Sequence, residues 1–254
     1  MWRSIRNYKS ITMAVIAAVM IITIAFSERD NDSDLCKEVV IRIDNQHENF
    51  FVDEQDVTNL ITDQGAYVVI GASFNDLNLK AMEQRVKEER FIKKAEIYKD
   101  LKGNILVNVT LRRPFARVIR EGRPGEFIAL DGAILPPSSK FATRTLLVSG
   151  DYVPELIRQD LNETPEGKAL FKLMNFIDKD KFWKAQVAQI DIDKNLEITM
   201  YPQVTKQIVE FGKPENVEDK FRRLKTFYTQ ILPRKGWNGY RRVNLKYKNQ
   251  IIAE

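Results

Sequence analysis

Hydrophobic and polar positions follow one another in short periodic blocks along most of this chain, after an opening run that carries no charge at all. Ile11 to Phe26 are sixteen uncharged, largely apolar residues. At 1.5 Å per residue they make roughly 24 Å of helix, which Tyr8 to Ser10 and Ser27 extend towards the ~30 Å of a hydrocarbon core. Trp2 and Tyr8 suit an interface, and Lys9 can snorkel. Arg3, Arg6 and Lys9 precede the run while Glu28, Arg29 and Asp30 follow it, so the Lys/Arg bias predicts a cytoplasmic N-terminus and an exported bulk. The organisation expected is residues 1–10 cytoplasmic, 11–27 a single transmembrane helix and 28–36 a polar stalk. A cleaved signal peptide is the alternative, with Ala25 and Ser27 at its −3 and −1 positions. Retention is preferred, because Phe26-Ser27 is an indifferent cleavage site and the run exceeds most signal cores.

Folded pattern begins at Val39, Val40, Ile41 and Ile43, a first strand. Asp53 caps a short helix with Val57, Leu60 and Ile61 at i, i+3 and i+4, and Gly65 ends it. Asn78 or Asp76 caps a second helix, to about Arg90, with Leu79, Met82 and Val86 on one stripe. Two strands follow, Ala95 to Tyr98 and Ile105 to Leu111. Between them Lys102-Gly103-Asn104 reads as a turn, and Ile105, Val107, Val109 and Leu111 alternate with polar neighbours. Strand, helix, helix, strand, strand is a two-layer α+β unit with helices on one face of a small sheet, closed by Pro114.

The second unit opens with strands at Phe115 to Ile119 and Glu126 to Leu130 around the turn Glu121-Gly122-Arg123-Pro124-Gly125. Asp131-Gly132 turns the chain again before Ala133-Ile134-Leu135, and Leu146 to Ser149 is a further apolar piece. Residues 136–161 otherwise resist assignment. Thr164 with Pro165 starts a helix bearing Leu170, Phe171, Leu173, Met174 and Ile177. Strands are expected at Gln186 to Asp191, Leu196 to Tyr201 and Gln207 to Phe211. Val217, Phe221, Leu224, Tyr228 and Ile231 then repeat with helical period, behind Glu215, Glu218 and Asp219 at the positive end of the helix dipole. After Pro233 and Gly236 the chain reads as extended from Tyr240 to Tyr247 and onward towards Ile252. Val243, Leu245 and Tyr247 share one face of it; Arg242, Asn244, Lys246 and Lys248 share the other.

Composition adds a globular class, 44% hydrophobic and 30% charged, with one cysteine and one histidine. No internal disulfide is possible, and Cys36 reads as a tolerated thiol near the first strand. The net charge of +5 is uneven: residues 220–253 hold ten Lys and Arg and no acid. That stretch reads either as a solvated helix face with outward strand positions or as a surface for an acidic protein partner. Catalytic readings lack parts. His47 is the sole histidine, so neither a Ser-His-Asp triad nor a multi-histidine zinc site has support. Asp191 and Asp193 look like strand-end polar residues, and Gly122 to Gly125 is a hairpin turn rather than a phosphate loop. No enzyme activity, catalytic residue, cofactor, metal, nucleic acid or small-molecule substrate is expected.

Three stretches carry a family resemblance. Val109-Thr110-Leu111-Arg112-Arg113-Pro114-Phe115-Ala116 is similar to the passage where the POTRA domain of the FtsQ/DivIB cell-division family meets its β domain. Ala129 to Ala133 resembles that family's Asp-x-Gly hairpin. The block Phe221 to Ile252, with Phe227-Tyr228, Leu232-Pro233, Gly236-Trp237, Tyr240 and Val243 to Ile251, most resembles Bacteroides-like members. The resemblance implies an α+β chain with a transmembrane helix, a POTRA domain over 37–113 and a mixed β domain with flanking helices over 114–254. It implies a non-catalytic, single-pass inner-membrane scaffold of the divisome, its bulk periplasmic, whose C-terminal strand receives a segment of FtsB in complex with FtsL. Tyr247 matches the aromatic of the family's Asp-Leu-Arg-Tyr strand, Lys246 takes its Arg place, and Asn244 stands where the family carries an acid. The partner-binding set so implied is Arg242, Asn244, Lys246, Tyr247, Lys248, Asn249, Gln250 and Ile251, acting by strand addition at a sheet edge. The alternatives are a POTRA protein of outer-membrane assembly or export and a membrane-anchored cell-wall enzyme.

Overall fold

A computed structural model describes residues 13, 15–22, 35–44, 50–138, 140, 145–237 and 239–254. The chain divides into two compact units, one of residues 1–43, 54–88 and 95–109, the other of residues 44–53, 89–94 and 110–254.

The expected membrane span is corrected. Met13 and Val15 to Ile22 are helical, but among the described residues no helix is long and apolar enough to cross a membrane. The single-pass inner-membrane topology, with its cytoplasmic N-terminus and periplasmic bulk, is withdrawn with it. The cleavage positions Ala25 and Ser27, the stalk from 28 to 34 and His47 lie outside the described residues.

In the first unit β1 (Val39–Asp44), α1 (Glu54–Ile61), α2 (Leu79–Glu88), β2 (Ile92–Lys99) and β3 (Ile105–Leu111) give the β-α-α-β-β order, and the sheet runs β1-β3-β2. The strand with the cleanest alternation is the central one: Ile105, Val107, Val109 and Leu111 are all buried. Val57 and Ile61 of α1 and Met82 and Val86 of α2 are buried too. Asn78 is the cap of α2, its Oδ1 accepting from the Ala81 N–H at 3.0 Å. Arg85 donates to the carbonyls of Leu60 and Ile61 at 3.0 and 2.8 Å, satisfying two of the acceptors that the end of α1 leaves open.

The second unit is built on a nine-stranded mixed sheet. Its strands are β4 (Pro114–Val118), β5 (Phe127–Ala129), β6 (Ile134–Leu135), β7 (Leu146–Ser149), β8 (Val187–Ile192), β9 (Ile198–Pro202), β10 (Ile208–Gly212), β11 (Arg242–Asn244) and β12 (Ile252–Ala253). They lie in the order β12-β11-β10-β9-β8-β7-β4-β5-β6. Register threads a single apolar row through seven of them, Val118, Val148, Ile190, Met200, Val209, Val243 and Ala253. The first six of these side chains are buried in one core. The neighbouring row, on the opposite face, is Ser149, Asp191, Thr199, Glu210, Asn244 and Ile252. One pleat therefore separates the core face from a polar face.

Helices α3 (Val153–Leu156), α4 (Pro165–Lys179), α5 (Lys181–Gln186), α6 (Val217–Thr226) and α7 (Leu232–Lys235) contribute to the same core. Thr164 caps α4 through its hydroxyl, which accepts from the Gly167 N–H at 3.0 Å. Trp183 of α5 lies 4.8 Å from the ring of Phe221 and 5.9 Å from that of Tyr228, and Phe176 stacks on Phe221 at 4.8 Å.

Two differences from the sequence pattern have physical causes. The long helix does not keep its period to Ile231. Pro233 has no N–H to return to Thr229, and the ladder widens into a π turn over Phe227–Ile231, with the Leu232 N–H reaching the Phe227 carbonyl. The stripe shifts by one residue, so Leu232 is buried and Ile231 is 39% exposed. The extended tail expected from Tyr240 towards Ile252 is broken as well: β11 holds only Arg242–Asn244, and the chain turns back to pair β12 antiparallel to it.

Candidate partner-binding site

The end of the sheet that the sequence singles out is built from β10, β11, β12 and the turn between the last two. β11 lies parallel to β10, with Arg242, Val243 and Asn244 opposite Ile208, Val209 and Glu210. Val243 and Leu245 point into the core and are fully buried. Arg242 and Asn244 point to the polar face, where Glu210 holds both: Arg242 is 3.1 Å from one carboxylate oxygen and the Asn244 amide donates to the other at 2.8 Å. Lys246 is paired with Glu197 at 2.8 Å, and that hydrogen bond lifts its pKa above the ordinary lysine value.

Beyond Lys246 the turn is exposed. Tyr247 leaves 51% of its surface in solvent and lies outside the core that holds Val243 and Leu245. Lys248, Asn249 and Gln250 are exposed, and Asn249 takes a left-handed conformation, φ 61°, that asparagine tolerates. Arg223 of α6 holds the turn from below, donating to the Tyr247 carbonyl at 3.0 Å and to the Gln250 carbonyl, while Asp219 fixes its Nε at 3.0 Å. Ile251 turns inward against the core. The eight residues read from sequence thus separate: Arg242, Asn244 and Lys246 are engaged by carboxylates of neighbouring strands, Tyr247 to Gln250 form an exposed turn, and Ile251 is an anchor. Glu197, Glu210 and Arg223 escape a sequence reading because their partners are remote in the chain. Asn249 was the available turn signal.

The two edges of the sheet differ. At β6 the edge is closed by side chains: the Ile134 carbonyl accepts from the Arg90 guanidinium at 2.8 and 3.2 Å, and the Ile134 N–H donates to Asp160 at 2.9 Å. At the other end Arg242 and Glu254 exchange both backbone hydrogen bonds, at 3.1 and 3.0 Å, which makes Val243 and Ala253 a non-hydrogen-bonded pair. The N–H and C=O of Ala253 consequently face away from β11.

Little elsewhere suggests chemistry. Among the described residues no group of His, Cys, Asp and Glu could hold a metal ion. Cys36 is buried, its Sγ 3.6 Å from the Glu38 carbonyl, and burial pushes the thiol up from its ordinary pKa. Asp191 accepts from the Ser149 hydroxyl at 2.6 Å, and Asp193 accepts from the N–H groups of Asn195 and Glu197 at 2.8 Å, as turn and strand-end carboxylates do.

A small β-α-α-β-β unit followed by a mixed-sheet domain defines a class, that of proteins joining a POTRA-like domain to a second, sheet-based domain. Two family models match: the POTRA-like domain covers residues 34–110, and FtsQ/DivIB, C-terminal related, covers residues 113–254. The chain belongs to the FtsQ/DivIB C-terminal related family, one of divisome-type protein–protein interaction. No curated protein matches the chain.

Proposed function

We propose that this chain is a non-catalytic scaffold of the FtsQ/DivIB type that binds an FtsB- or FtsL-like partner by adding the partner's strand to β12. The observation that carries this reading is the contrast between the sheet edges, since the Ile134 backbone is already satisfied while Ala253 directs a donor and an acceptor outward. Unpaired backbone groups at an edge recruit a strand with little demand on side chains, and nearby exposed side chains then set specificity. Tyr247 suits that second role, an aromatic with half its surface in water at the turn beside β12. Arg242 and Lys246 suit it less, because Glu210 and Glu197 already balance them. The family match over 113–254 favours this reading over a POTRA protein of export.

The test is a pulldown and titration of the full chain against FtsB and FtsL segments from the same organism, using Ala253→Pro and Tyr247→Ala. Proline at 253 deletes an N–H that the β11–β12 ladder does not use. Tenfold or greater weakening by Ala253→Pro, with unchanged circular dichroism, is expected. A folded Ala253→Pro variant that binds as the native chain does would remove this edge from the interface.

A further inference from the structure

At the far side of the same sheet, the β4–β5 hairpin borders an open pocket of about 230 Å3 whose lining includes Arg117, Arg120 and Arg123. Its remaining wall is apolar, from Ile119 and Pro124 of the hairpin and Leu147 of β7. The fold converges these residues deliberately in register: Arg117 sits between Phe127 of β5 and Leu147 of β7, and its guanidinium lies 5.4 Å from the centre of the Phe127 ring. Arg120 and Arg123 are bridged across the hairpin. Gly125 allows the closure, because a Cβ there would run into the Val118 carbonyl.

Charge in this pocket is unbalanced. Arg120 is paired with Glu126, which is not among the lining residues, and the Arg120 Nε and the second Glu126 oxygen are both buried without a further partner, so the excess positive charge comes from Arg117 and Arg123. Among the described residues Arg117 and Arg123 have no carboxylate partner, and Glu121 of the same turn is exposed and outside the pocket. The two guanidinium groups without a carboxylate, those of Arg117 and Arg123, beside an aliphatic wall match a carboxylate on a short hydrocarbon stem, whose oxygens take N–H donors while its methylenes meet Ile119, Pro124 and Leu147. The volume is below that of cofactor pockets and adequate for one such side chain.

We propose that this arginine pocket is a binding site for an acidic side chain of glutamate type, presented by a partner polypeptide and separate from the β12 edge. The probe is N-acetylglutamate amide, titrated into the full chain while the arginine Nε–H signals are followed by NMR, with N-acetylglutamine amide and inorganic phosphate as controls. Saturable shifts at Arg117 and Arg123 are expected with the glutamate compound, at least tenfold weaker binding with either control, and at least tenfold loss in Arg123→Gln. Because Arg123 is exposed, that variant keeps its fold; Arg117→Gln, which also gives up the Phe127 contact, is the second variant. Equal binding of the glutamine compound, equal binding of phosphate, or unchanged affinity in a folded Arg123→Gln chain would each overturn the assignment.

Discussion

Lys220 puts an ammonium where the apolar stripe of α6 would leave it buried, and the fold answers with carbonyls instead of a carboxylate. Its Nζ donates to Phe211 and Lys213 at 2.8 Å and lies 4.6 Å from the centre of the Phe211 ring. Desolvation holds its pKa below the ordinary 10.5, with Glu215 and Glu197 opposing the shift and Arg223 and Lys246 adding to it. In the pH range between that lowered value and 10.5 the unfolded chain binds more protons, so this residue's contribution to stability rises with pH there. Urea unfolding at a series of pH values should therefore show native stability gaining on that of Lys220→Met as pH climbs towards 10.5. A constant difference would mean that the ammonium feels no burial. Lys246 behaves oppositely, because its partner Glu197 raises its pKa: its contribution is present below 10.5 and lost as pH rises through the raised value.

At the scale of elements, legibility followed periodicity. β1, β3, β7 and α4 stand close to where alternation, helical spacing and Thr164-Pro165 put them. The short helix α5 went unseen, since Lys181–Gln186 spans under two turns and its cap, Asp180, reads as the end of α4. In the long helix the local cost of Pro233 outweighed the heptad-like spacing that pointed to Ile231. Two substitutions separate the alternatives. Leu232→Ala should cost about 2–5 kcal/mol as a large-to-small core change, and Ile231→Ala well under about 1 kcal/mol. The reverse order in denaturant unfolding would place Ile231 in the core and remove the π turn. The candidate site is proposed from Tyr247 to Asn249, whose exposure a tail pattern can suggest, whereas the return of the chain at Asn249 and the carboxylates of Glu197 and Glu210 depend on pairing across the sheet and carry no local signal.

For the molecule as a whole, the family and the POTRA-like and sheet units agree with the sequence reading, and the membrane span over 11–27 does not. What remains is a chain whose larger unit directs the Ala253 N–H and C=O away from β11 at one sheet edge, the edge proposed to take a partner strand. Amide hydrogen exchange at Ala253 in the full chain, with and without the FtsB or FtsL segment, probes that edge at the atom concerned. Rapid exchange in the free chain, slowed at least tenfold when the partner is bound, is the predicted result. A bound complex in which the Ala253 amide exchanges as fast as before would contradict strand addition at β12.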